Sequence, residues 1–150
     1  MDRAPTSEER RLILEQAAKV NAVDLQPAYL FDSWAIPNIK LMLEKVNPFI
    51  EPEDMKLVEE VVRRFNTIPL DKLPHCLVHG DFTKANVLMG KDGKVYVLDF
   101  SVANWYPRIQ ELAVIVANLL HEGEQGISLQ KRCDLVLREY VEFNELTTEE

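Results

Sequence analysis

Two cysteines and five glycines are all that the 150 residues contain, and each scarcity excludes something. Cys76 and Cys133 are too far apart in sequence to suggest a disulfide framework, so reduced thiols in a cytoplasmic compartment are the expectation. Five glycines and eight prolines are too few for a fibrous or low-complexity chain. Basic residues are outnumbered, 17 against 25 acidic, and the formal charge of −8 repels phosphate backbones and anionic lipid alike. Nucleic acid and membrane are therefore not expected partners. Long hydrophobic runs are missing too. The longest, residues 112–120, falls short of the roughly 20 apolar residues that span a bilayer. The N-terminus has no apolar stretch behind its charges, so no signal peptide or anchor is expected.

What is present is 47% hydrophobic and 28% charged residues, the composition of a single globular domain, 1–150, with a helix-leaning core. Thr6 and Glu9 offer a capping box. Leu14, Ala18 and Leu25, flanked by Ile13, Ala17 and Val20, then recur at helical spacing until residues 24–27. Pro37 suits the first turn of a second helix with Ile36, Ile39, Leu43 and Val46 on its stripe. A third, about 53–67, sets Val58, Val61, Val62 and Phe65 opposite Glu59, Glu60, Arg63 and Arg64. These three helices are expected to form one amphipathic layer.

Past Pro69 the period changes. Residues 76–78, 86–89 and 95–99 read as short strands, with turn chemistry in Gly90-Lys-Asp-Gly-Lys94. Helices at about 108–120 and 128–143 follow, His121 closing the first of them. Cys133 is expected as a small core residue, and Trp34 and Trp105 as packing anchors. The predicted class is α+β, mostly α, with a short β-hairpin carrying the site.

Polar residues concentrate where the pattern calls for buried strand: His79-Gly80-Asp81, then Asn86, then Asp99-Phe100. A hairpin closed by the four-residue loop 91–94 would pair Gly90 with Val95, and so Asn86 with Asp99. Their Cβ atoms would then lie about 4.5 to 5.5 Å apart on one face. A carboxylate beside an amide oxygen suits a hard cation such as Mg²⁺, with phosphate oxygens and water completing its shell. Asp81, five residues before Asn86, is placed to accept a proton from a hydroxyl nucleophile. Asp, Asn and Gly also gather at ordinary turns. Against that reading, Asp99 ends the run Val95-Tyr-Val-Leu, where an unpaired buried carboxylate would be costly. His75, Cys76 and His79 do not make a zinc site, because four residues of strand span about 13 Å.

These residues resemble the catalytic loop and metal-binding aspartate of the aminoglycoside phosphotransferase, choline kinase and homoserine kinase family, small-molecule kinases related in fold to protein kinases. Residues 106–113, Tyr-Pro-Arg-Ile-Gln-Glu-Leu-Ala, resemble the stretch opening that family's next helix. Residues 18–25 resemble the first helix of its C-terminal lobe. The resemblance implies that Asp81 is the catalytic base and that Asn86 and Asp99 hold Mg²⁺ against the phosphates of ATP. It makes His79 and Gly80 structural supports of the loop. Glu111 stands where the family more often has Asp, Asn21 where it often has His, and Ser101 where protein kinases have Gly. There is no G-x-G-x-x-G and no strand lysine upstream of the site to pair the α and β phosphates. With that N-terminal nucleotide lobe absent, and a helix-opening Thr-Glu at 148–149, the chain reads as a kinase-like C-terminal lobe trimmed at both ends.

The expected function is ATP-dependent transfer of the γ-phosphoryl group to a hydroxyl of a small molecule, with little turnover by this chain alone. Its acidity would suit a cationic acceptor. The alternative is a catalytically silent kinase-like interaction module, either a homodimer or the partner of a separate N-lobe, because apolar surface normally covered by missing segments would seek a partner.

Overall fold

A computed structural model of the protein describes residues 3–120 and 127–150. The expected role of His121 and the polar loop after it lie outside these residues. The described residues fall into two compact units. One comprises the segments up to Tyr29 and from Pro74 onward, and the other is Leu30–Leu73.

Helix α1 (Ser7–Asn21) begins at the anticipated capping box. Thr6 Oγ1 accepts from the Glu9 N–H at 3.2 Å while Glu9 Oε2 accepts from the Thr6 N–H at 2.7 Å, so two otherwise orphaned donors are satisfied. Its end differs from expectation. The last turn tightens, with the Val23 N–H donating to the Val20 carbonyl, and Leu25 lies beyond the helix, 55% exposed. Leu25 keeps the helical spacing, but the chain has already left the helix and Pro27 lies just ahead.

Ile13, Leu14, Ala17 and Ala18 form the buried stripe of α1. They join the core of the first unit with Phe82, Val87, Leu112, Ile115, Leu119, Val136 and Tyr140. The partners of α1 are β1 (His75–Val78), β3 (Val95–Val97) and α5 (Leu129–Tyr140), and α5 packs on α4 (Ile109–Asn118). Arg10 clamps Glu139 with two bonds of 2.8 and 2.6 Å, tying α1 to α5. Cys133 packs partly buried against this core. No helix among the described residues is long and apolar enough to cross a membrane.

The second unit holds α2 (Ile39–Val46), flanked by 3-10 turns, and α3 (Pro52–Phe65). The three helices expected as one layer fall in different units, α1 in the first and α2 and α3 in the second, and α1 spends its apolar stripe on α5 and the strands. Neither α2 nor α3 has a buried residue. On α3 the half-buried apolar positions are Met55, Val58, Val62 and Phe65, a stripe of i, i+3, i+4 spacing from which Val61, 48% exposed, is excluded. Trp34 is 90% exposed and is not a packing anchor. Trp105 is half-buried in a strand.

Two antiparallel two-stranded sheets replace the single β layer. In one, β1 pairs with β4 (Asn104–Pro107), His75 opposite Pro107 and Val78 opposite Asn104. Residues 104–107 alternate inward at Asn104 and Tyr106, and Pro107 sits at the strand end, where its missing N–H costs the ladder least. The other sheet pairs β2 (Val87–Met89) with β3 in the register Val87↔Val97, Leu88↔Tyr96, Met89↔Val95.

That register is one residue away from expectation and corrects the proposed pairing of Asn86 with Asp99. The loop has three residues, not four. The Gly90 N–H donates to the Lys94 carbonyl at 2.8 Å, the Gly93 N–H returns to the Gly90 carbonyl at 3.0 Å, and Gly93 adopts φ 76°. A tight turn followed by a left-handed glycine is the standard three-residue hairpin closure. Asn86 consequently faces Leu98, whose N–H donates to its carbonyl at 2.9 Å.

No atom lies within 4 Å of a Cβ added at Gly93, so Gly93→Ala introduces left-handed strain without a clash. The variant should lose about 1 kcal/mol of stability, with an unchanged denaturant slope in urea unfolding. An unaltered midpoint would mean that the hairpin does not depend on this conformation.

Candidate active site

Strand β1 delivers the chain to His79, which is completely buried. The backbone then turns at Gly80, where φ is +82°, a conformation open to glycine and strained for residues with a side chain. Behind the turn stands Glu111, in the first turn of α4 and also completely buried. Its Oε2 accepts from the His79 N–H at 2.6 Å and its Oε1 from the Gly80 N–H at 3.1 Å. Burial pushes the Glu111 carboxyl up to about 7, while these two N–H groups and the Asn21 side chain pull the other way.

The imidazole of His79 bridges two segments. Its Nδ1 accepts from the Asp81 N–H at 3.1 Å, so Nε2 carries the proton and donates to the Leu98 carbonyl at 2.9 Å. Phe82 and Phe100 meet the ring edge-on, at 5.1 and 4.5 Å between centroids. Burial lowers the His79 pKa, while the Leu98 carbonyl and the charges of Asp81 and Asp99 act in the raising direction. The neutral tautomer therefore holds the loop to the segment entering Asp99.

Asp81 and Asn86 come together directly. The Asn86 Nδ2 group donates to Asp81 Oδ2 at 2.6 Å and also reaches the Asp81 carbonyl at 3.1 Å. The loop between them is wound tightly, with the Thr83 carbonyl accepting from the N–H groups of both Asn86 and Val87. With its nitrogen turned to Asp81, Asn86 keeps its amide oxygen for another partner.

Asp99 is reached differently from expectation. It is exposed, which corrects the argument that a buried carboxylate there demanded a ligand. It is the one non-glycine residue of positive φ among the described residues, at 62°. Such a residue has left the strand pleat, so strand alternation no longer sets the direction of its side chain. Its Oδ1 accepts from the Ser101 N–H at 3.2 Å, and hydrogen bonding from Ser101 lowers its pKa. Asp99 and Asp81 share His79 as an electrostatic neighbour. Backbone strain held at a polar, exposed position is a recurrent mark of functional sites. As a donor set, the amide oxygen of Asn86 and the exposed carboxylate of Asp99 are both hard oxygens and fit a magnesium ion.

Sequence reasoning singled out Glu111 and Asn21 only as departures from a family pattern. Their part in anchoring the loop had one available signal: a carboxylate inside the apolar run Ile-Gln-Glu-Leu-Ala-Val-Ile-Val must find donors or lose its charge.

The profile of the Phosphotransferase enzyme family matches residues 2–141. The chain belongs to that family. It thereby has a kinase-like α+β fold, in which Glu111 of α4 accepts the two loop N–H groups. It is similar to hydroxylysine kinase of Mus musculus, 23% identical in an alignment of 108 positions that covers 64% of this chain and 29% of the mouse protein. The chain thus spans less than a third of that relative's length.

Glu111 yields a pH signature. A carboxyl raised from 4.5 to about 7 on folding contributes stability that is fully present below the unfolded value and lost as pH rises through about 7. The stability difference between the parent and Glu111→Gln should therefore shift against the parent as pH rises from 5 to 8, as read by urea midpoints. His79 is common to both proteins and cancels. A difference independent of pH would show that Glu111 titrates as it does when unfolded.

Proposed function

We propose that this chain provides the catalytic face of an ATP-dependent small-molecule kinase, as the C-terminal lobe of a kinase-like fold, in the cytoplasm. The observation that carries this is the Asn86–Asp81 bond in a loop whose two preceding amides are held by a buried carboxylate. One amide thereby orients the carboxylate that would meet the acceptor hydroxyl, while its own oxygen stays available to a cation.

In this reading Asp81 orients the hydroxyl and takes up its proton as the new O–P bond forms, and the bond from the γ-phosphorus to the departing ADP oxygen breaks. Asn86 holds Asp81 Oδ2 in place, so the carboxylate does not have to be ordered at the moment of reaction. Asn86 and Asp99 are the residues that would hold Mg²⁺, which when bound neutralises phosphate charge. His79 stays neutral and keeps the loop fastened to the Asp99 segment. The name of the mouse relative and the net charge of −8 together support a cationic, amine-bearing alcohol as the acceptor.

A second reading, a silent kinase relative that pairs with a second copy of itself, draws on the exposure of Trp34 and Phe49, 90% and 85%. Calorimetric titration with Mg-ATP beside light scattering separates the two. The kinase reading expects micromolar binding, weakened at least tenfold, or about 1.4 kcal/mol, by Asp99→Ala and left unchanged by Asp81→Asn. A large affinity loss in Asp81→Asn would make that residue a ligand instead of the base. A stable dimer that binds no Mg-ATP would overturn the kinase reading.

A further inference from the structure

A buried polar chain runs from α5 to the loop that carries Asp81. The Tyr140 hydroxyl, on α5, donates to Asn21 Oδ1, at the end of α1, across 2.8 Å. Tyr140 has no exposed surface and Asn21 very little. On the other side of the same amide, Asn21 Nδ2 donates to the Leu77 carbonyl of β1 at 3.0 Å, and this donor end also acts on the Glu111 carboxyl, in the direction that lowers its pKa. Glu111 in turn receives the His79 and Gly80 N–H groups. The Tyr140 oxygen is held from behind by Asn144 Nδ2 at 3.4 Å, and Asn144 Oδ1 accepts from Arg108 at 2.9 Å.

A primary amide is nearly symmetric in shape, and its partners decide which end carries the oxygen. Here the choice has consequences. Turned over, Asn21 would set its oxygen against the Leu77 carbonyl and the Glu111 carboxylate, three acceptors with no donor among them, in a buried place where such a clash is expensive. The Tyr140 hydroxyl is what rewards the productive orientation.

We propose that Tyr140 is a positioning residue for the catalytic loop: its hydroxyl locks the Asn21 amide in the orientation that fixes the end of β1 and keeps Glu111 on the His79 and Gly80 N–H groups. The role deepens the phosphotransferase reading and takes the term catalytic from it. The coupling between Tyr140 and the loop amides is independent of turnover. Groups that interact electrostatically with Glu111 come from every side: Asp81 on the loop, Cys76 on β1 and Tyr140 on α5.

The test is native-state hydrogen exchange and carboxyl ¹³C titration by NMR on the 150-residue chain and its Tyr140→Phe variant, which preserves volume and removes only the hydroxyl. The expected result is exchange at least tenfold faster at His79 and Gly80, with Ile13 and Ile115 within twofold of the parent. The Glu111 titration should also move upward, because the Asn21 amide, released from Tyr140, no longer holds its donor end toward the carboxylate. Equal acceleration at all four amides would reduce Tyr140 to a generic core residue and overturn the proposal. Unchanged loop protection, or faster loop exchange with Glu111 unmoved, would overturn the relay through Asn21. If Tyr140→Phe gives no dispersed spectrum, Asn21→Asp, which replaces the donor end of the amide, must show the same two changes. Unfolding of both variants would also overturn it, since a positioning group is replaceable at constant volume. Failure of Mg-ATP to bind would remove the kinase reading and leave this coupling standing.

Discussion

A carboxylate with no access to water has to be met by donors, and Glu111 is met by backbone. Two successive amides, His79 and Gly80, converge on it, and such convergence requires the chain to turn where it would otherwise run straight on as a strand. The left-handed conformation of Gly80 is that turn. From it follows the placement of everything downstream: Asp81 leaves the strand direction, Phe82 returns to the core, and the loop closes through Thr83 onto Asn86. The carboxyl raised to about 7 means that desolvation outweighs donation: the His79 and Gly80 N–H groups and Asn21 offset only part of the cost of the charge.

The imidazole of His79 completes the frame by a different balance. Two carboxylates, Asp81 and Asp99, favour its protonation, and burial between two aromatic rings opposes it and wins. Protonation would place a hydrogen on Nδ1, where the Asp81 N–H already donates, so the neutral state and the loop geometry support each other. The result is a concentration of acid around an uncharged ring, a local field that attracts a cation, in a chain already negative overall.

Features set by a few neighbouring residues were legible in the sequence. The Thr6–Glu9 capping box closes within four residues and formed as expected; helices α4 and α5 were found to within a few residues; the His79–Asp81–Asn86 cluster was singled out, and the loop brings these residues together. What failed depended on distant partners or on a single dihedral. A left-handed Gly93 shortened the hairpin loop by one residue, and because side chains alternate with period two, that slip removed the pairing of Asn86 with Asp99. Asp99 then left the pleat altogether. Residues 104–107 pair with β1 across some thirty positions, a contact that no local pattern announces. The contact between Tyr140 and Asn21 spans 119 positions.

Glu111 and Asn21, two of the departures from the resembling family, turn out to act on each other, the Asn21 side chain pulling the Glu111 pKa down against burial. An aspartate at 111 would be one methylene shorter, and a histidine at 21 would be larger than the asparagine. The exchange also changes the chemistry, since an amide offers two donor hydrogens and an acceptor from a single short group. One hydrogen can serve the strand carbonyl and the other the carboxylate, and the oxygen is left to be held by Tyr140. The two positions are therefore better understood together: the carboxylate of Glu111 takes the His79 and Gly80 N–H groups while the amide of Asn21 ties the end of β1 to Tyr140.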